Sequence, residues 1–88
     1  MEALTYGEAV AAEVRAQIAR AARTHSSVAE ETGIPKATLS RKTTGKTPFD
    51  VVEVARIAAA LRIDPDDIFR AAAGRTPGSD QNSKADAA

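Results

Sequence analysis

Eighty-eight residues leave room for one domain at most, and a domain this small buries only about 60% of the surface that its unfolded chain exposes, so modest stability is expected. With no cysteine and a single histidine, the composition excludes a disulfide framework and a thiolate metal site, and a zinc centre would need several converging carboxylates. Twelve basic and twelve acidic side chains cancel to a formal net charge of zero, which, evenly spread, would argue against a nucleic-acid partner.

No apolar run approaches the roughly 18 to 20 residues of a membrane span, and the acidic start Met1-Glu2 lacks the positive segment of a signal peptide. A cytoplasmic, nucleoid-associated location without a membrane partner is therefore expected. Abundant alanine, few aromatics and sparse glycine and proline favour short helices over strands, giving an all-α chain.

Thr5-Tyr6-Gly7-Glu8 has the spacing of a capping box, so a first helix should start there. Tyr6, Val10, Val14, Ile18 and Ala21 or Ala22 then recur every three or four residues as its apolar stripe, with Glu13, Arg15, Gln17 and Arg20 on the other faces, to about Arg23. A second, short helix is expected from a Thr24 cap to Gly33. Ser27 also fits a capping box but would leave barely one turn.

Pro35 is tolerable only near the first position of a third helix, which should run through Leu39 and stop near Thr44-Gly45. Asp50 and Glu53 cap a fourth helix whose Val51, Val54, Ala58 and Leu61 share a face and which ends near Arg62. Asp64-Pro65-Asp66-Asp67 starts a fifth that carries Ile68 and Phe69 inward. Beyond Gly74 no large apolar residue can anchor the chain, so residues 1–74 read as the domain and residues 75–88 as a disordered polar tail.

Charge is unevenly distributed along this plan. From Arg15 to Lys46, seven basic residues face only Glu30 and Glu31, a local excess of +5, while the acids of both flanks restore neutrality. One basic side on a neutral molecule suits a phosphate-binding module. Chance clustering in a short chain accounts for the same pattern equally well.

Two short helices joined by Gly33-Ile34-Pro35, braced by one helix before and two after, have the organisation of a helix-turn-helix unit. The stretch from His25 to Gly45, with Ala29, Gly33, Ile34 and Leu39, resembles the phage-repressor and Cro-type (XRE-like) domain. Thr38-Leu39-Ser40-Arg41-Lys42, then Gly45-Lys46-Thr47-Pro48-Phe49 and Val54 to Leu61, are similar to versions from GC-rich bacteria and their phages. The resemblance spans about residues 6–70 and implies a five-helix lambda-repressor-like fold. The implied function is binding of double-stranded operator DNA for transcription regulation, as a repressor, with the third helix in the major groove.

Ala29 must be small where the two short helices cross, and Gly33 supplies a backbone geometry that a side chain resists. Val28, Ile34 and Leu39 should pack with Val14, Ile18, Val54, Ala58 and Leu61 in one core. With Leu39 inward, the opposite face of the third helix presents Lys36, Ala37, Thr38, Ser40 and Arg41. Of these, the resemblance assigns 36, 37, 38 and 41 to the groove. Arg41 can donate two bonds to guanine O6 and N7, whereas the methyls of Ala37 and Thr38 suit a thymine methyl.

Phosphate contacts are expected at the start of the second helix (Thr24, His25, Ser26, Ser27) and in the loop after the third (Thr43, Thr44, Lys46, Thr47), with charge added by Arg23 and Lys46. For each hydroxyl a cap or turn role alone is as good an account. His25 reads as a polar surface residue near phosphate rather than a pH switch. Lys42 departs from the family pattern, standing where relatives often bury an apolar side chain. Its stem is expected across Phe49 with the ammonium reaching a phosphate, and the choice between Ser40 and Arg41 as base reader stays open.

No glycine-rich phosphate cradle, nucleophile with a base, or paired catalytic carboxylates support an enzyme, and no catalytic residue, metal, cofactor or small-molecule ligand is expected. Two rivals share the fold: an antitoxin-like protein-interaction module, which would show a contiguous exposed apolar patch on helix 1, 4 or 5, and an architectural DNA-bender or recombination accessory factor. Relatives often bind as dimers, and a weak homodimer formed on DNA or a monomer both fit this chain.

Overall fold

The structure is a computed structural model that describes residues 4–75. Among these residues it has five helices and no strand: α1 Tyr6–Arg20, α2 His25–Thr32, α3 Lys36–Thr43, α4 Val51–Leu61 and α5 Pro65–Arg75. No helix of the described residues is long and apolar enough to cross a membrane. The polar tail expected over residues 75–88 lies outside the described residues, apart from Arg75, which continues α5.

Local chemistry accounts for most boundaries. At α1 the Glu8 N–H donates to Thr5 Oγ1 at 3.1 Å and the Thr5 N–H to Glu8 Oε1 at 2.9 Å, satisfying two donors that a helix start leaves orphaned. Asp50 and Glu53 repeat this at α4 at 2.7 and 2.9 Å. Thr24, rather than Ser27, caps α2 by accepting the Ser27 N–H at 3.0 Å. Gly33 ends α2 in the left-handed conformation at φ 79°, as an unbranched backbone allows.

α1 stops three residues earlier than its apolar pattern suggests. Ala22 turns left-handed at φ 57°, and the Ala22 and Arg23 N–H groups close back on the carbonyls of Ala19 and Ile18 at 3.0 and 3.1 Å. Those bonds form the Schellman closure usually built on glycine. Arg62 closes α4 in the same way at φ 61°, its neighbour Ile63 donating to the Ala58 carbonyl at 2.9 Å. For a non-glycine residue the left-handed region costs about 1 kcal/mol or more, a cost that the closing bonds at each turn offset.

The core joins Val10, Val14 and Ile18 of α1, Val28 and Ala29 of α2, Ile34, Leu39 of α3, Val54, Ile57, Ala58 and Leu61 of α4, and Ile68 and Ala72 of α5. α1 lies along α5, while α2 contacts both α3 and α4. Besides Ala21 and Ala22, which are exposed beyond the end of α1, Tyr6 and Val51 of the expected apolar stripes fall outside the core. Tyr6 is exposed and spends its hydroxyl on the Phe69 carbonyl at 3.3 Å, and Val51 is 70% exposed because it opens α4 one turn before the helix reaches the core. Ile57 takes the buried place on α4 instead.

Glu13, expected on a solvent face, is 3% exposed. Its carboxylate accepts from Gln17 Nε2 at 2.8 Å and Arg75 Nη2 at 3.0 Å, and Arg20 stands 3.6 Å away. A buried carboxylate requires such partners, and they tie the middle of α1 to the end of α5.

Candidate nucleic-acid interface

The turn between α2 and α3 presents the second helix of the pair. Successive residues of a helix step around its axis by about 100°. With Leu39 pointing straight into the core, Thr43 falls roughly 40° to one side and Lys42 about 60° to the other, while Ala37 and Arg41 both lie roughly 160° away. Burial follows this wheel. Leu39 and Thr43 are buried, Thr38 and Ser40 are half-buried at the flanks, and Lys36, Ala37 and Arg41 are exposed. The roll of α3 therefore places Arg41, not Ser40, at the centre of the outward face.

Among the described residues no ion pair holds Lys36, Arg41 or Lys46. Lys46 and Thr47 are exposed in the turn after α3, where Gly45 at φ 86° lets the Lys46 N–H close on the Arg41 carbonyl at 3.1 Å. Thr44 is exposed there too, its hydroxyl donating to the Arg41 carbonyl at 2.9 Å. Thr24 and Ser26 are exposed at the start of α2, where the opening N–H groups of a helix have no carbonyl partner within it.

Other residues expected at phosphates have internal partners. Arg23 is a three-way staple: Nε donates to Ser27 Oγ at 2.9 Å, Nη1 to the Ala60 carbonyl at 3.2 Å, and Nη2 pairs with Glu31 Oε1 at 2.8 Å. Ser27 is consumed by the same network, its hydroxyl donating to the Thr24 carbonyl at 3.1 Å. Thr43 is 2% exposed because it shares the inward side of α3 with Leu39, so its hydroxyl cannot reach a phosphate.

His25 is half-buried with Nε2 3.1 Å from Thr43 Oγ1. That hydroxyl donates to the Ser40 carbonyl at 3.1 Å, so the ring serves as donor to it. Lys42 does not stand free at the surface: its ammonium lies 2.6 Å from each carboxylate oxygen of Glu53. Arg23, His25, Ser27, Thr43 and Lys42 thus each have a partner within the fold, local for Ser27 and distant in sequence for the others.

Arg15 was missed as a site-building residue. Its guanidinium donates to the Thr43 carbonyl, satisfying one of the open carbonyls at the negative end of α3. Together with His25 it anchors the C-terminal end of that helix. A cation one turn after Ala11 on α1 carries no local signal for this role.

A left-handed glycine turn between two short helices, and a second helix buried on one side and cationic on the other, define a helix-turn-helix unit built to present α3. A family model of the Cro/C1-type HTH DNA-binding domain matches residues 14–73, which include the second half of α1 from Val14, all of α2 to α4, and α5 up to its last two residues. The chain belongs to that family, and DNA is its partner. No curated protein and no solved structure matches it. Among the described residues no group of three or more His, Cys, Asp or Glu side chains could hold a metal ion.

Proposed function

We propose that the chain is a sequence-specific transcription regulator, acting as a repressor, that lays α3 in the major groove of an operator. The observation that carries this reading is the outward side of α3, where Ala37 and Arg41 are exposed with Thr38 at the flank, together with Lys36, exposed as the first residue of the helix; neither cation is engaged in an ion pair. Arg41 reads guanine through two parallel bonds, Ala37 and Thr38 meet a thymine methyl, and Lys36 reaches a base edge or phosphate at the helix start. Ser40 contributes at the edge of the reading face. Thr24, Ser26, Thr44, Lys46 and Thr47, with the opening amides of α2, bracket α3 against the phosphates.

Of the two states that fit the chain, a monomer and a weak homodimer formed on DNA, the second would pair through Val51 and Val52, which are 70% and 58% exposed and directly follow the turn after α3. Two valines per copy bury far less than the roughly 1,000 Å² that a stable interface needs, so association requires the operator. Selection of binding sites from random duplexes tests the function. The expected winner contains a guanine whose replacement is neutral in Arg41→Ala. Failure of any sequence to enrich would refute a base-reading role and leave the architectural or protein-binding readings.

A further inference from the structure

Arg41 and Lys42 are adjacent cations on one short helix, yet they end in different surroundings. Arg41 is exposed, while Lys42 and Glu53 keep only 14% and 17% of their side-chain surface. The Glu53 carboxylate is fixed before Lys42 reaches it, because Oε1 also accepts the Asp50 N–H at 2.9 Å in the α4 capping box. Lys42 therefore docks on a rigid acceptor at the start of α4.

This contact lies on one side of the line from the α3 axis to the core, and the Thr43 anchor made by Arg15 and His25 lies on the other. Anchors on both sides resist roll in both directions. At its N-terminal end α3 follows the buried Ile34 through Pro35, with no side-chain cap bond. Releasing one anchor leaves only the packing of Leu39 and Thr43 against roll on that side. A 20° roll at a radius of about 6 Å moves an outward tip by roughly 2 Å, several times the spread of good hydrogen-bond lengths. A shielded ion pair adds little stability over an apolar pair of the same shape, so its consequence lies in geometry.

We propose that Glu53 is a positioning residue for DNA readout: by holding Lys42 on both carboxylate oxygens it fixes the roll of α3 and withholds one positive charge from the phosphates. The proposal rests on the base-reading function of α3. The first effect raises discrimination by aligning Arg41, while the second lowers the sequence-independent attraction common to all DNA and is read in the salt dependence rather than in the choice of base.

The test uses the full chain with Glu53→Gln, which keeps an oxygen for the Asp50 N–H, Lys42→Met, which keeps the stem, and the double variant, which leaves no unpaired charge. Affinities are measured for the selected duplex, for the same duplex altered at the base pair read by Arg41, and for random DNA across a salt series, alongside circular-dichroism melts. Each single variant is expected to lose about tenfold in discrimination at the Arg41 base pair, and the double variant the same roughly tenfold rather than the product of the two losses. Glu53→Gln should steepen the salt slope on random DNA by about one unit as Lys42 is released, while Lys42→Met leaves the wild-type slope.

A slope reduced by about one in Lys42→Met would make Lys42 a phosphate ligand and overturn the proposal. So would wild-type discrimination in the double variant, which tests the idea even if a single variant melts. A wild-type chain that prefers no duplex would instead refute the functional reading on which this rests.

Discussion

Leu39 and Arg41 stand two residues apart on α3, and substituting each by alanine should damage opposite properties. Leu39 is fully buried in the core, and truncating such a side chain costs about 2 to 5 kcal/mol through lost transfer energy and the cavity left behind. At roughly 0.05 to 0.15 kcal/mol per residue, the 72 described residues (4–75) hold about 4 to 11 kcal/mol in all. With a urea m-value of about 1 kcal/mol/M the midpoint falls by about 2 M or more. Arg41 is exposed, so its removal should change stability by less than about 0.5 kcal/mol while costing about 1 to 3 kcal/mol of operator affinity at one base pair. Urea titrations followed by far-ultraviolet ellipticity and anisotropy titrations with labelled duplex read the two quantities. If Arg41→Ala lowered the midpoint as much as Leu39→Ala, the roll assigned to α3 would be wrong.

Lys46→Ala should weaken all duplexes alike and lower the salt slope by about one unit, measured on random DNA. Arg23→Ala should leave that slope unchanged yet destabilise by about 1 to 2 kcal/mol, because its three donors hold Ser27, Ala60 and Glu31; a reduced slope with unchanged stability would return Arg23 to the phosphate set. Gly33→Ala places a side chain at φ 79° where nothing lies within 4 Å, so the cost is backbone strain alone, about 1 kcal/mol, seen as a lower melting temperature. Arg62→Gly relieves the opposite situation at φ 61° and should raise the melting temperature slightly; a drop would show that the Arg62 side chain contributes more than its conformation costs.

What the sequence determined by itself lies within a few residues of its own signals. Thr5 and Glu8, Asp50 and Glu53, Thr24 and Gly33 fix helix ends through bonds spanning three or four residues, and the 3.6-residue period of Val10, Val14 and Ile18 fixes the buried side of α1. The two short helices about a glycine turn were legible for the same reason, and with them the family. The end of α1 was not, since Ala22 carries no intrinsic preference for the left-handed turn in which it closes the helix.

Only the folded chain decided which cations remain available. Arg23 meets Ala60 across 37 positions, Arg15 meets Thr43 across 28, and Glu13 meets Arg75 across 62. Nothing in the spacing of like charges distinguishes those from Lys36, Arg41 and Lys46, because a charged side chain is captured by whatever partner packing brings within a few ångströms, and packing is a property of the whole chain. Composition thus supplied a basic segment, and tertiary contact divided it into residues that hold α3 in place and residues that α3 presents.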